Sequence, residues 1–261
     1  MIQVPNYVEG HGLLNGKSVL ITAAAGAGIG FAAAKRAAEE GCRALMISDI
    51  HGGRLAQAIE RLKAETGLQA VFGQLCDVSD EAQVQALVNA AQTALEGVDV
   101  LINNAGLGGQ KSVVEMTDAE WSRVLDISLT GTFRMTRAIL PFMQHRGRGV
   151  IVNNASVLGW RAQKEQAHYA AAKAGVMALT RCSALEAAPF GVRINAVAPS
   201  IALHDFLKKA SSEELLGELA AREAFGRAAE VWEVANVMMF LASDYASYMT
   251  GEVVPVSSQR A

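Results

Sequence analysis

The sequence predicts an α/β protein built on one doubly wound sheet of seven mainly parallel strands flanked by helices. Three observations carry the prediction. Short β-branched runs alternate with alanine-rich stretches of helical periodicity along almost the whole chain, the pattern that sets strands side by side with helices over both faces. The first apolar run passes through a glycine-rich loop straight into a helical segment, as at the start of a βαβ unit. And 261 residues, 51% of them hydrophobic, with no linker, repeat or low-complexity segment, suit one large core. Residues 1–14 read as an N-terminal extension and 15–261 as the domain, with a lid at about 200–227.

Ser18 to Thr22 is the first strand, Ala23 to Gly30 the loop, and Phe31 to Glu40 the helix. Glycine lets the backbone come close to a pyrophosphate, and a helix start offers it unpaired N–H groups and a positive dipole end. Gly26, Gly28, Ile29 and Gly30 are therefore candidate cofactor contacts; the pattern alone would equally suit a tight turn, and its bracketing by strand and helix gives it weight. Ala44 to Asp49 is the second strand, and its final carboxylate stands where a ribose 2′-hydroxyl is held. Asp49 would repel a 2′-phosphate and Ala27 supplies no cation, so NAD is expected rather than NADP, with Arg54 the feature that argues the other way.

Ala70 to Cys76 is a third strand ending at Asp77-Val78, after which Ser79 or Asp80 caps a helix to about Glu96. Val98 to Ile102 is the fourth, followed at its carboxyl end by Asn103-Asn104-Ala105-Gly106. Thr117 and Glu120 have capping-box spacing and open a long helical region running through Trp121, Leu125, Leu129 and Phe133 towards Pro141. Val150 to Ala155 reads as a buried strand that ends at Ser156, and a helix extends from Tyr169 to about Ala188. Gly191 to Ala198 is the sixth strand. The polar stretch after it, with Ser211 and Glu214 again at capping-box spacing, is read as a lid; the plainer reading is a pair of surface helices. Glu230 to Ser243 is a final helix and Glu252 to Val256 the closing strand.

Tyr169 and Lys173 stand four apart in an alanine-rich helix and so share one face. A phenol is a poor acid or base at neutral pH, and an ammonium one turn away favours the phenolate, which would lower its pKa. Ser156, at a strand's carboxyl end beside the tyrosine, would hold a substrate oxygen. The plain alternative is an aromatic ring packed on a lysine stem.

A net charge of −3 offers no basic field for nucleic acid or an anionic membrane, and no apolar run is long enough to span a bilayer. Met1 to Leu14 lacks the pattern of a secretory signal. Cys42, Cys76 and Cys182, odd in number and widely spaced, read as buried free thiols of a reducing cytoplasm, with neither a disulfide framework nor a metal site.

The glycine loop ending Gly28-Ile29-Gly30, Asp77-Val78, Asn103-Asn104-Ala105-Gly106, Ser156 thirteen residues before Tyr169, and Tyr-x-x-x-Lys together resemble the short-chain dehydrogenase/reductases, from about Leu14 onwards. The resemblance implies a Rossmann-like fold, Tyr169 as general acid/base, Lys173 on the nicotinamide ribose, and Ser156 orienting the substrate carbonyl or hydroxyl while hydride passes to or from nicotinamide. It places Gly26, Gly28, Ile29, Gly30, Asp49, Asp77, Val78, Asn103, Asn104, Tyr169, Lys173 and Ala202 at the cofactor. It also implies a homodimer or homotetramer through the long helices at Thr117 to Gln144 and Tyr169 to Ala188. The chain departs from the family in several places. Thr22 is followed by three alanines in a loop one residue longer, Ser128 stands at the family's catalytic asparagine, Ser200 and His204 replace a glycine and a threonine, and Ser257-Ser258-Gln259 replaces the closing Asp-Gly-Gly.

Ala-Ala-Ala-Gly-x-Gly-Ile-Gly, the run Asn153 to Gln163 and Pro199-Ser200-Ile201-Ala202 further resemble a branch that acts in bacterial steroid degradation on a ring hydroxyl of a bicyclic CoA thioester. Val157, Leu158 and Trp160 would then wall the fused rings, Arg161, Lys164, Lys208 and Lys209 would meet CoA phosphates, and His204 would reach cofactor or substrate. Two alternatives come from other classes. One is an NADPH-dependent reductase of 3-oxoacyl thioesters on an acyl carrier, against which Asp49 argues; the other is a catalytically idle scaffold, to which only Ser128 points.

Overall fold

The computed structural model describes residues 3–204, 207 and 212–258. Lys208, Lys209, Ser211 and Gln259 lie outside the described residues. Seven strands form one sheet: β1 (Ser18–Ile21), β2 (Ala44–Asp49), β3 (Val71–Leu75), β4 (Val100–Asn103), β5 (Gly149–Asn154), β6 (Val192–Pro199) and β9 (Val253–Val256). Their order is β3-β2-β1-β4-β5-β6-β9, and every pairing is parallel. β7 (Ala202–Leu203) and β8 (Ala229–Glu230) pair separately as a short ribbon. The order reverses between β1 and β4, and in open parallel sheets the crevice outside the carboxyl ends at that point receives the ligand.

β1, β2 and β4 are buried along their whole length, as expected of strands covered on both faces. One apolar layer joins α1 (Ile29–Glu39), α2 (Gly52–Thr66) and the helix Val231–Ala242 to the sheet. The other joins α3 (Glu81–Ala94), α5 (Gly131–Arg146) and the end of α6 (Ala167–Ala187) to its opposite face. Each fully buried Leu or Ile, such as Leu20, Ile102 and Ile139, contributes roughly 1.5–3 kcal/mol of transfer free energy.

Local chemistry sets the helix ends. Asp80 caps α3 by accepting from Ala82 and Gln83 N–H. The expected Thr117–Glu120 capping box opens α4 (Asp118–Leu125). That helix continues through a single π turn, Asp126–Thr130, into α5, and such bulges re-aim side chains. Pro141 does not stop α5, which runs on to Arg146 and ends at Gly147 in the left-handed conformation. Pro141 and Arg137, whose carbonyl the proline leaves without its usual N–H, are both exposed to solvent. α7 (Glu213–Arg222) in the expected lid is capped by Ser212, one residue beyond the expected serine; α8 is the helix Val231–Ala242.

Residues 3–13 carry no regular element but are tied to α1. The buried Glu40 carboxylate accepts from His11 N–H at 2.8 Å, from Leu13 N–H at 3.0 Å and from Arg36 at 2.5 Å. Arg36 also donates to the carbonyls of Val8 and Glu9. Cys182 corrects an expectation: it is exposed on the outer face of α6, whereas Cys42 and Cys76 are buried and burial pushes both thiols up to about 12.

Candidate active site

Thr22 and Asn104 follow β1 and β4 at the reversal point. Thr22 Oγ1 accepts from the N–H groups of Asn104 and Ala105, both at 3.0 Å. The Asn104 amide donates to the Thr22 and Ala23 carbonyls at 3.1 and 3.0 Å and accepts from Asn154 Nδ2 at 3.0 Å. Ala23 stands at φ 52°, a conformation that costs a non-glycine residue on the order of 1 kcal/mol, and this network holds it there. Gly30 is obligatory, because a Cβ there would collide with the Ala23 carbonyl and the Asn104 amide.

The cradle fits a dinucleotide phosphate. α1 begins at Gly28 with no side-chain cap and no acidic residue in its first turn, which leaves N–H donors and a positive dipole end for an anion. A Cβ on Gly26 would meet nothing within 4 Å, so this side of the loop is open. Asp49 ends β2 at 8% exposure. Its oxygens accept from Ala25 N–H at 3.3 Å and His51 N–H at 3.1 Å, and Arg54 lies 3.5 Å away. Asp77 bonds Ser79 through both its N–H and its hydroxyl, while Val78 is buried where Gly131 packs closest to it. Asn103 turns inward: its side chain is buried and donates to Thr136 and Asn153, tying β4 to α5 and β5 beneath the edge.

Ser156, Tyr169 and Lys173 come together. Ser156 is buried just past β5, accepts from Leu158 N–H and shares a hydrogen bond with the Tyr169 phenol. Lys173 Nζ lies 5.5 Å from the centre of the Tyr169 ring and donates to the Asn154 carbonyl at 2.6 Å. The expectation that Lys173 lowers the phenol pKa is not met by these surroundings. Burial pushes Tyr169 up, with the Ser156 hydrogen bond working against it, and burial pushes Lys173 itself down to about 8. Ser128, inside the π turn and fully buried, accepts from Leu107 N–H at 2.9 Å and donates to the Leu107 carbonyl at 3.0 Å.

A family model described as enoyl-(acyl carrier protein) reductase matches residues 23–258. The chain is also similar to a solved structure described as a short chain dehydrogenase from Mycobacterium smegmatis, with 56% identity, 99% of each chain covered and a TM-score of 0.88. It belongs to the short-chain dehydrogenase/reductases. It is therefore an oxidoreductase acting on a CH–OH group. A Mycobacterium tuberculosis relative named (5R,7aS)-5-hydroxy-7a-methyl-1-oxo-2,3,5,6,7,7a-hexahydro-1H-indene-carboxyl-CoA reductase is 61% identical over 98% of this chain and 97% of its own. A 3-oxoacyl-[acyl-carrier protein] reductase with bound NAD from Brucella melitensis has a TM-score of 0.89 at 32% identity, covering 98% and 97% of the two chains.

Around the pair of hydroxyls this dehydrogenase places the candidate substrate residues unevenly. Val157 is buried, Leu158 and Arg161 are half-buried, and Trp160 is 44% exposed just beyond them. Lys164 is exposed. Ala202 is buried in β7, and His204, two residues on, lies against the glycine loop: a Cβ on Gly28 would stand 3.7 Å from its ring. Sequence reasoning missed Thr22 and Asn154 as parts of the site. Asn153-Asn154 was visible as a polar pair ending an apolar strand, which was the available signal.

Proposed function

We propose that this enzyme transfers hydride between NAD and a ring hydroxyl or ketone of a bicyclic, steroid-derived CoA thioester, in steroid ring degradation. The observation that carries the chemistry is the Ser156–Tyr169 hydroxyl pair beside the buried Lys173 at the carboxyl edge of the sheet. Ser156 holds the substrate oxygen and Tyr169 moves the proton at that oxygen. A phenol that burial keeps protonated is the form that donates to a ketone and is left as the phenolate; in the alcohol direction it is the phenolate that takes the substrate's proton. Nicotinamide supplies the hydride acceptor or donor. Lys173 keeps its place through the Asn154 carbonyl, from which it meets the nicotinamide ribose, and Gly26, Gly28, Ile29, Gly30, Asp77, Val78, Asn104 and Ala202 line the cofactor. Asp49 supports NAD, since a carboxylate there would hold ribose hydroxyls and repel a 2′-phosphate.

The substrate class rests on the relative at 61% identity, with Trp160 offered to fused rings and Arg161 to phosphate. The described parts of the expected lid, 200–204 and 212–227, would cover the site. Two or four copies assemble through α5 and α6, whose exposed Phe133, Phe142 and Leu185 suit burial. A second reading, a 3-oxoacyl thioester reductase using NADPH, is favoured by Arg54, which would turn from Asp49 to a 2′-phosphate. Incubation with NAD or NADP and a panel of straight-chain and bicyclic hydroxyacyl-CoA thioesters tests both. Turnover confined to straight chains removes the steroid reading.

A further inference from the structure

Three glycines of the segment after β4 lie over the first two turns of α6. A Cβ on Gly106 would stand 3.4 Å from Lys173 Nζ, one on Gly108 3.7 Å from Tyr169 Cδ2, and one on Gly109 3.1 Å from His168 Nε2. The segment is a roof over the proton-transfer residues, tight at Gly109, where a Cβ would crowd His168, and at ordinary contact distance for a Cβ over Tyr169 and Lys173. It is fastened at both ends. Ser128 binds the Leu107 N–H and carbonyl, and Lys111 N–H donates to the Glu165 carbonyl at 3.0 Å, with Glu165 held at φ 66°. Between those points the roof passes over Tyr169 and His168.

His168 is 2% exposed and takes no part in the chemistry proposed above. Its Nδ1 is buried without a hydrogen-bond partner, which folded interiors seldom leave without a use. The Glu120 carboxylate of α4 favours the imidazolium; Lys111 of the roof segment lies 3.9 Å from that carboxylate, and in the chain Glu165 stands three residues before His168 and Tyr169 directly after it. We propose that His168 is a positioning residue whose neutral imidazole props the Gly108–Gly109 roof above Tyr169, and whose protonation displaces that roof and stops turnover on the acid side of neutrality. The inference rests on the reading of Tyr169 as the proton-transfer group. An imidazolium has two N–H donors, and Nδ1 has no acceptor here. Its charge is also drawn towards Glu120. Burial lowers the imidazole pKa, with Glu120 opposing, so the charge arrives only below the ordinary histidine value near 6.5.

The test is kcat/KM against pH, from about pH 5 to about pH 8, for the parent, His168→Asn and His168→Ala, using NADH and an oxoacyl-CoA that the parent reduces, the direction in which Tyr169 acts in its protonated form. NADH binding by fluorescence is read on the same samples. The parent should show an acid limb. His168→Asn, neutral at every pH, should lose that limb while staying within about threefold of the parent at pH 7. His168→Ala, which removes the prop, should lower kcat about tenfold with NADH affinity within about twofold. An acid limb unchanged in His168→Asn, or full kcat in His168→Ala, overturns the proposal. Tyr169→Phe run alongside separates the two readings: its retained turnover would remove the proton-transfer assignment itself, whereas its inactivity beside an unchanged His168→Asn profile removes only the role of His168.

Discussion

The Lys173 ammonium is anchored on the main-chain oxygen of Asn154 at 2.6 Å, at the end of β5. That oxygen belongs to the backbone and so survives substitution at Asn154. The Asn154 side chain meanwhile binds Asn104, which closes the glycine loop. Cofactor loop and buried lysine are thus held by one residue.

Burial lowers Lys173 to about 8. Between about pH 8 and the ordinary lysine value near 10.4, the unfolded chain carries a proton that the folded chain does not, so stability rises with pH across that window. Below it the folded protein bears the full cost of a buried ammonium. Lys173→Met should therefore abolish turnover and yet raise the unfolding free energy at pH 7 by roughly 1–3 kcal/mol. The gain should shrink as the pH approaches about 10. Urea melts at the two pH values check it, and a variant less stable than its parent at pH 7 contradicts the account.

Tyr169→Phe keeps the ring and its packing against Gly108 and removes only the hydroxyl shared with Ser156. We expect kcat to fall by about 10²–10⁴, with NADH affinity changed by less than about threefold. Stopped-flow turnover and fluorescence titration read the two quantities separately. Comparable loss of both would place the phenol in structural support.

Asp49→Ser removes the carboxylate that ends β2 and frees Arg54, now 3.5 Å from it. The ratio of kcat/KM for NAD over NADP should fall by about a hundredfold, from weaker ribose binding and a cation released for a 2′-phosphate. Parallel assays with both cofactors measure it. An unchanged ratio would mean that Asp49 serves only Ala25 and His51.

The sheet was legible because its strands are apolar runs and its helix starts are marked by Asp80, Thr117 and Glu120. Less visible was what depends on contacts distant in sequence. Asn103 and Asn104 are adjacent, yet one faces the core and the other the loop, as alternation at a strand's end requires. Ser128 read as a shortened asparagine; its bonds to Leu107 follow from a π turn that no local pattern announced. The acidified phenol expected from four-residue spacing left burial out of account, and burial pushes the phenol up with only the Ser156 hydrogen bond working against it.

The N-terminal segment supplies a last test. Burial pushes the Glu40 carboxyl up, but the N–H groups of Leu13 and His11 and the Arg36 guanidinium outweigh it and hold the pKa below the usual range. Such a depressed carboxylate stabilises the fold above the ordinary glutamate value near 4.3 and loses that contribution as the pH falls through its own lower value. Glu40→Gln keeps the shape, removes the charge and leaves Arg36 buried among carbonyls without its anion. Breaking a buried pair on one side costs about 3–5 kcal/mol, so the variant should melt well below the parent at pH 7, with the difference narrowing only as the pH falls below about 4. Because residues 3–13 hang on this pair, early protease cleavage should fall within them in the variant and spare them in the parent. Thermal melts and timed proteolysis at pH 7 decide it, and an unchanged melting point would show that the segment is held by Tyr7 packing on Trp232.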